Sequence, residues 1–210
     1  MPELPIILRP AGWRCVVVGG GAVATRRGRW LRDAGARLVV VAPVIADELA
    51  GLAHEAHHRP YQAGDLARAR LVITATDDPA VNEQVAHDAR EGNILCNRPD
   101  RPAASDFTVP AVARRGDVTL AVATGGASPT AARAICDELA EWLDPAWPRL
   151  LAIARSYREA MRGRENPSAG RPGDLTDRRA LDILKAHGEN ALRDHLDGLT
   201  ADGPPRTPGG

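Results

Sequence analysis

A short apolar stretch that runs directly into three glycines and then into a helical sequence constrains the fold of this chain more than any other feature. The apolar residues are Cys15–Val18 and the glycines are Gly19–Gly21. In a strand–turn–helix of this kind, Gly19 permits the tight turn, Gly21 allows a close approach to the backbone, and Ala24 lets the helix pack on the strand. The free N–H groups and positive dipole end of the helix then face an anion. The stretch therefore predicts a site for a dinucleotide pyrophosphate.

Strands and helices alternate along the first half of the chain. Apolar runs at 14–18, 36–42, 71–75 and 94–97 predict buried strands, a weaker strand is expected near 58–61, and helical patterns cover 23–34, 46–54 and 79–91. Strands rich in Val, Ile and Leu that are separated by helices indicate an α/β fold with a Rossmann-type, doubly wound parallel sheet. The carboxyl ends of parallel strands share one edge, where open α/β sheets bind ligands. The glycine turn, Pro43, Thr76 and the segment 97–100 should therefore line that edge.

The pattern changes after residue 115. An alternating strand is expected at 117–123, a turn at 124–129, helices at 130–143 and 145–162, a loop at 163–173 and two short helices within 176–199. A cluster of apolar residues is too large for a small subdomain to bury, which favours a dimer interface. Its members are Trp142, Trp147, Leu150, Leu151 and Ile153. The resulting division is a nucleotide-binding domain over 1–115, a dimerisation region over 116–150, a helical domain over 151–200 and a disordered tail over 201–210.

Composition excludes several classes of partner. Lys plus Arg and Asp plus Glu both number 27, so no basic field would attract nucleic acid. No apolar run reaches the length of about 18 residues that spans a bilayer, and the amino terminus lacks the basic region of a signal peptide. Three well-separated cysteines predict reduced thiols, and His54, His57 and His58 lack accompanying ligands at a metal-site spacing. We therefore expect a cytoplasmic protein without a metal site, a membrane segment or a nucleic-acid partner.

Several short motifs follow one another between residues 4 and 129. They are Leu4-Pro5-Ile6, the glycine turn with Arg26, Ala34-Gly35-Ala36, Ala75-Thr76-Asp77-Asp78 with Val81-Asn82, Cys96-Asn97 with Asp100, Phe107 with Pro110, and Thr124-Gly125-Gly126 with Ser128-Pro129. In this order and spacing they resemble the precorrin-2 dehydrogenase family of siroheme biosynthesis over most of residues 3–160. The resemblance implies a homodimer that oxidises the tetrapyrrole precorrin-2 to sirohydrochlorin with NAD⁺. Some members of the family also insert ferrous iron, so the activity expected of this chain is the dehydrogenase alone or the dehydrogenase together with a ferrochelatase.

The resemblance also implies a catalytic residue. Asp100 matches the acid of the family's Asn-x-x-Asp motif, which begins at Asn97, and a carboxylate there could accept the proton that leaves the macrocycle. The substrate carries eight carboxylates, so cations are expected near it. The candidates, each also compatible with a solvated surface position, are Arg98, Arg101, Arg114, Arg115 and Arg133. Arg98 departs from the family, because an apolar residue is common after the asparagine.

The residues alone leave the choice between NAD and NADP open. The strand at 36–42 ends without the acid that usually binds the ribose hydroxyls of NAD, and the next arginine that could meet a 2′-phosphate is Arg59. The resemblance implies NAD, with Pro43 and Val44 against the adenosine, and NADP remains the minor alternative. The residues expected to bind the cofactor are Gly19, Gly21, Ala22, Val23, Pro43, Val44, Thr76 and Asn97.

Two other functions remain open at this stage. A non-catalytic redox sensor could use the same NAD-binding fold, but a sensor needs no base at Asp100. A chelatase that has lost hydride transfer is the second alternative, and the intact glycines at 19 and 21 argue against it.

Overall fold

The computed structural model describes residues 3–161 and 176–201, which form two compact units divided between Val109 and Pro110. The strands of the first unit are β1 (Arg14–Val18), β2 (Arg37–Ala42), β3 (Glu55–His58), β4 (Leu71–Thr74) and β5 (Leu95–Asn97). Its helices are α1 (Ala22–Asp33), α2 (Asp47–Leu52) and α3 (Pro79–Glu91). Strands and helices thus alternate as the sequence predicts.

The five strands of the first unit form one parallel sheet in the order β3-β2-β1-β4-β5. Val16 on β1 is paired with Val39 on β2 and, on the other side, with Val72 on β4. The chain therefore winds outward in both directions from β1, and the predicted Rossmann-type α/β fold is confirmed. Ligands of such sheets bind outside the carboxyl ends of the strands where the order reverses, which here are β1 and β4.

The core of the first unit lies on both faces of the sheet. Cys15 and Val17 pack on the face covered by α1 and α2, whereas Val16 and Val18 pack on the face covered by α3. These four side chains are at most 1% exposed. A strand buried on both faces must be apolar throughout, which is why the sequence gives no alternation there.

Strand β3 lies earlier in the chain than the expected position near 58–61. It covers Glu55–His58 and is the edge strand beside β2. The Glu55 carboxylate accepts hydrogen bonds from Arg14 at 3.3 Å and Arg37 at 3.0 Å. Ion pairs to residues distant in sequence thus accompany this strand, and a search for apolar residues does not detect them.

The second unit consists of a hairpin and helices. Its elements are β6 (Ala111–Arg115), β7 (Val118–Val122), α4 (Pro129–Trp142), α5 (Ala146–Met161) and α6 (Arg178–Ala201). Strands β6 and β7 are antiparallel, with Ala113 opposite Leu120, and α4 packs on them. The sequence did not predict β6, and the domain boundary expected after Arg115 falls in the hairpin turn.

Helices α5 and α6 bury much of the apolar cluster that the sequence assigned to a dimer interface. Leu150 is fully buried and Ile153 is 5% exposed, both in a core shared with Leu181 and Leu192 of α6. The expectation that Leu150 and Ile153 are buried by a partner subunit is therefore wrong, because α6 of the same chain covers them. Trp142, by contrast, is 83% exposed.

The two short helices expected near the carboxyl terminus correspond to α6, which non-helical dihedral angles interrupt at Gly188 (φ 79°). The loop expected at 163–173 lies outside the described residues, as does the expected tail beyond Ala201. None of the helices in the described ranges combines the length and the hydropathy that crossing a membrane requires.

Candidate functional site

The glycine turn after β1 is packed against two neighbouring strand ends. Gly19 has φ +131°, and a Cβ there would lie 2.1 Å from the carbonyl oxygen of Ala75. A Cβ on Gly20 would lie 1.8 Å from the carbonyl oxygen of Val44. Neither position can hold a side chain without moving backbone, so both glycines fix the turn onto the ends of β2 and β4. The glycine pattern of the sequence assigns no role to Gly20.

Gly21 differs from these two glycines, because a Cβ there would meet nothing within 4 Å. It is the N-cap of α1, and this helix has neither a side-chain cap nor an acidic residue in its first turn. Ala22 and Val23 in that turn are exposed, whereas Ala24 is fully buried against the sheet. The first N–H groups of α1 therefore lack a side-chain cap, and the space beside Gly21, at the positive end of the helix dipole, is open to an anion.

An exposed apolar loop follows β2 at the same edge. Pro43 and Val44 are exposed, Val44 to 81%. The Val44 carbonyl lies against Gly20, so the loop is adjacent to the glycine turn. Arg59, considered for a 2′-phosphate, instead donates two hydrogen bonds to the Asp65 carboxylate, at 2.8 and 2.5 Å.

Thr76, which follows β4, is tied into its own loop. Its hydroxyl donates to Oδ1 of Asn82 at 2.8 Å and accepts from the Asp78 N–H at 3.2 Å. The Asn82 amide nitrogen donates back to the Thr76 carbonyl at 3.0 Å, and Asn82 is only 2% exposed. These bonds hold the loop against the start of α3 and leave the Thr76 hydroxyl already engaged.

Two buried polar side chains near the ends of β4 and β5 have atoms without partners. Asn97 is 6% exposed and lies opposite Ile73 in the sheet. Its amide nitrogen donates to the Phe107 carbonyl at 2.8 Å, but its Oδ1 has no hydrogen-bond partner. The hydroxyl of Thr74, 1% exposed, also has none. Buried polar atoms are rarely left unpaired, so these atoms mark a place where a ligand can complete the hydrogen bonding.

The segment 105–107 holds β5 and the loop that follows it. Asp106 accepts a hydrogen bond from the Cys96 N–H through its carboxylate at 2.8 Å and donates its own N–H to the Cys96 carbonyl at 2.9 Å. The Ser105 hydroxyl accepts from the Arg98 N–H at 2.8 Å. The open edge of the sheet is thereby covered, and the backbone that carries Asn97 and Asp100 is fixed.

Asp100 is 35% exposed at this edge and is paired with Arg98. Nη2 of Arg98 donates to Oδ2 of Asp100 at 2.9 Å, and Nη1 donates to the Glu83 carboxylate at 2.5 Å. The Arg98 guanidinium lowers the pKa of Asp100, although partial burial opposes this effect. Asp100 is therefore ionised and able to accept a proton across the neutral range.

The five arginines considered as substrate contacts occupy different environments. Arg98 is 3% exposed and occupied by two carboxylates, so the structure contradicts its role as a free cation. Arg101 is 65% exposed near Glu83, and Arg133 is 58% exposed and paired with Asp137. Arg114 and Arg115 are exposed at the end of β6.

The histidines considered for metal binding have other roles. Nδ1 of His54 accepts the Leu38 N–H at 3.0 Å, and His57 lies 3.7 Å from the Glu55 carboxylate. Within 3–161 and 176–201, no three His, Cys, Asp or Glu side chains come together as a metal ion would require.

The residues predicted from sequence thus follow the carboxyl ends of four strands in the first unit. Gly19, Gly21, Ala22 and Val23 follow β1, Pro43 and Val44 follow β2, Thr76 follows β4, and Asn97 and Asp100 end and follow β5. An uncapped helix terminus, the open space at Gly21 and the unpaired Asn97 oxygen together fit a dinucleotide. The sequence gives no local signal for Glu83, which was not predicted. Asn82 was predicted only as part of a motif and without a role of its own.

Comparison with known proteins agrees with this geometry. The family model described as "Putative NAD(P)-binding" matches residues 6–111. The siroheme synthase of Pseudomonas putida (strain W619) is 42% identical over 166 residues, which are 77% of this chain and 36% of that protein. The siroheme synthase of Chromobacterium violaceum is 42% identical over 168 residues, which are 78% of this chain and 36% of that protein. The chain therefore spans about a third of the length of these curated relatives.

A solved structure shows the same fold. SirC, named as a precorrin-2 dehydrogenase, superimposes with a TM-score of 0.72 and 24% identity over 94% of this chain and 98% of that chain. The resemblance to siroheme-biosynthesis proteins predicted from the motifs is confirmed by the relatives above. Because the family model matches residues 6–111, which are half of the sequence, the chain belongs to the family of NAD(P)-binding proteins that this model describes.

Proposed function

We propose that this protein oxidises precorrin-2 to sirohydrochlorin with NAD⁺. The observation that carries the proposal is the position of Asp100, an ionised and partly exposed carboxylate three residues beyond Asn97 at the carboxyl end of β5. The names of the similar proteins, siroheme synthase and precorrin-2 dehydrogenase, support the substrate and the reaction. The buried Oδ1 of Asn97, which has no hydrogen-bond partner in the protein, supports a cofactor at this edge of the sheet.

The dinucleotide would be held by the strand ends of the first unit. The N–H groups at the start of α1, with Gly21, Ala22 and Val23, would bind the pyrophosphate. Exposed Pro43 and Val44 would contact the adenosine, and the Asn97 oxygen would accept a hydrogen bond from the nicotinamide amide. NAD is the favoured form, because Arg59 is already bound to Asp65 and unavailable to a 2′-phosphate. When bound, NAD⁺ supplies a hydride acceptor.

Asp100 would accept the proton that the macrocycle loses. Loss of two electrons and one proton as hydride leaves a second proton to be removed, and a carboxylate within hydrogen-bond reach can take it. Thr76 would contribute through the loop that its hydrogen bonds hold in place, rather than through a free hydroxyl. Exposed arginines, for example Arg101, would meet the carboxylates of the substrate.

The protein would act as a homodimer in the cytoplasm. The exposed apolar side chains of α4, Ile135, Leu139 and Trp142, support a subunit interface on that helix. Three buried free thiols, Cys15, Cys96 and Cys136, are compatible with a reducing compartment.

The proposed function is tested by Asp100→Asn. Purified protein is mixed with precorrin-2 and NAD⁺, and NADH formation is followed by absorbance. We expect turnover to fall by about 10²-fold or more while NAD⁺ affinity stays within a factor of about two, because asparagine keeps the size but cannot accept a proton. Asp33→Asn is the matched control, since Asp33 is exposed at the far end of α1. A normal rate in Asp100→Asn would contradict the assignment of the base. Binding of NAD⁺ without any oxidation by the native protein would favour a redox sensor.

A further inference from the structure

We infer that Arg98 is a positioning residue that holds the Asp100 carboxylate in a fixed place against α3 by way of Glu83. The inference deepens the proposed function and rests on it, because it concerns the group proposed as the base. Arg98 stands where the motif gives no reason for a charged residue, yet its side chain is 3% exposed.

The guanidinium of Arg98 bridges two carboxylates from different elements. Towards Asp100, Nη2 lies 2.9 Å from Oδ2 and Nε lies 3.5 Å from Oδ1. Towards α3, Nη1 lies 2.5 Å from Oε2 of Glu83. The guanidinium is planar and rigid, so its two ends cannot move independently. Glu83 therefore orients the Arg98 guanidinium, and the guanidinium in turn orients the Asp100 carboxylate.

The backbone of Arg98 is held as firmly as its side chain. Its N–H donates to the Ser105 hydroxyl at 2.8 Å, and its carbonyl accepts from the same hydroxyl at 3.2 Å. A buried arginine costs much free energy unless it is fully paired, and this one is paired at both ends. The arrangement thus keeps one edge of the Asp100 carboxylate occupied, while 35% of the side chain stays exposed and a substrate proton can reach it.

The pairing has a second effect, on the charge of Asp100. Arg98 lowers the pKa of this carboxyl, and a hydrogen bond from Asn82 of α3 acts in the same direction. Glu83 faces the site only through Arg98, Arg101 lies 3.5 Å from Glu83, and the Cys96 thiol on β5, with a pKa raised to about 11 by burial, is neutral. Arg98 is thus the dominant charge that Asp100 meets, and it keeps the carboxylate ionised as the pH falls.

Three variants separate this role from simple packing. Arg98→Met keeps an unbranched side chain in the buried space but removes the charge, and Arg98→Lys keeps the charge but loses the rigid fork. Arg90→Met is the matched control, because Arg90 is an exposed arginine on the same helix as Glu83. The pKa of Asp100 is measured in each protein without substrate, from the ¹³C chemical shift of its carboxyl, assigned by the signal that Asp100→Asn removes.

We expect Arg98→Met to raise the pKa of Asp100 by about one unit or more, Arg98→Lys to raise it less, and Arg90→Met to leave it unchanged. The turnover of Arg98→Met should fall about tenfold with little change in KM for NAD⁺, because a mobile carboxylate is less often in position. The acid limb of its pH–rate profile should move to higher pH in parallel with the pKa.

Two results would overturn the inference and leave the proposed function standing. One is an unchanged titration of Asp100 in Arg98→Met. The other is unchanged turnover in Arg98→Met alongside a slow Asp100→Asn. A normal rate in Asp100→Asn would instead overturn the assignment of Asp100 as the base, and a native protein that does not oxidise precorrin-2 would overturn the proposed function. In both cases the titration would still decide whether Arg98 holds the carboxylate.

Discussion

The side-chain nitrogen of Asn97 donates a hydrogen bond to the carbonyl oxygen of Phe107 at 2.8 Å. This bond sets the orientation of the amide, so that its other atom, Oδ1, is directed to a buried position where the protein offers no donor. The hydrogen bond to Phe107, ten residues further along the chain, thus fixes the direction from which a ligand must donate to Oδ1.

We expect Asn97→Ala to weaken NAD⁺ binding by roughly tenfold, because one hydrogen bond to the cofactor is lost. The affinity is measured by calorimetry. Asn93→Gly serves as the control, since Asn93 lies in a turn after α3 with φ 52°, which glycine accepts. Equal affinity in Asn97→Ala and the native protein would contradict the contact between Asn97 and NAD⁺. A large fall in the unfolding temperature of this variant would show that Asn97 acts mainly in stability, through its hydrogen bond to Phe107.

Gly21→Asp should abolish NAD⁺ binding while the protein remains folded. A side chain at Gly21 enters open space and φ is −91°, so the fold tolerates it, but a carboxylate at the start of α1 repels the pyrophosphate. Calorimetry with NAD⁺ and circular dichroism measure the two effects. Retained affinity in Gly21→Asp would place the phosphates elsewhere.

The neighbouring variant Gly20→Ala, in contrast to Gly21→Asp, should destabilise the fold. Its Cβ would lie 1.8 Å from the Val44 carbonyl oxygen, so the turn and the loop after β2 must separate. We expect the free energy of unfolding in urea to fall by about 2 kcal/mol, a typical cost of overpacking. Unchanged stability would mean that the two loops are less tightly joined than the structure shows.

Sequence reasoning succeeded where one local pattern determines the outcome. The buried strands are apolar throughout, and the glycine turn after Val18 has the spacing that its geometry requires. Its failures involve partners distant in sequence. Glu55 of β3 is held by Arg14 and Arg37, and Leu150 is covered by α6. Neither contact can be recognised from the residues next to Glu55 or Leu150 in the sequence.

The candidate site shows the same division. Each predicted residue lies at a strand end or in the segment that follows it, and strand ends can be placed from sequence. The pairing of Arg98 with Glu83 cannot, because it depends on how α3 packs beside β5. Likewise, no pattern distinguishes Gly20, which has no room for a Cβ, from Gly21, which has ample room.

Stability should depend on pH through Asp65. This carboxylate is 7% exposed, and although burial alone would raise its pKa, hydrogen bonds from Arg59 and the Gln62 N–H lower the pKa overall. A carboxyl whose pKa is lower in the folded state stabilises the protein above its unfolded value of about 3.9, and this contribution is lost as the pH falls below that value. Asp65→Asn should lower the free energy of unfolding by about 2 kcal/mol at pH 7 and by less near pH 3.

The measurement for Asp65 is urea unfolding at several pH values. Asp33→Asn, an exposed aspartate in the same unit, should leave both the stability and its pH dependence unchanged. If Asp65→Asn lowers the free energy of unfolding equally at pH 7 and pH 3, the packing of the side chain and not its charge accounts for the loss of stability.

Dimer formation should depend on the exposed face of α4. Ile135, Leu139 and Trp142 are 43%, 42% and 83% exposed, and their spacing of four and three residues places them along one side of the helix. Apolar side chains that share a helix face and stay exposed in one chain commonly mark an interface. Analytical ultracentrifugation of the native protein should therefore give about twice the chain mass of 22.3 kDa. Leu139→Asp should give the chain mass itself, because a carboxylate would be buried without a partner between two subunits.

The control for this interface is Glu141→Ala, on the same helix but away from the apolar face. It should sediment like the native protein. Leu150→Asp distinguishes the interface from the helical core: since Leu150 is fully buried between α5 and α6, this variant should unfold its helices rather than form a folded monomer. If Leu139→Asp sediments as a dimer, the subunits meet on another surface and the exposed face of α4 has a different partner.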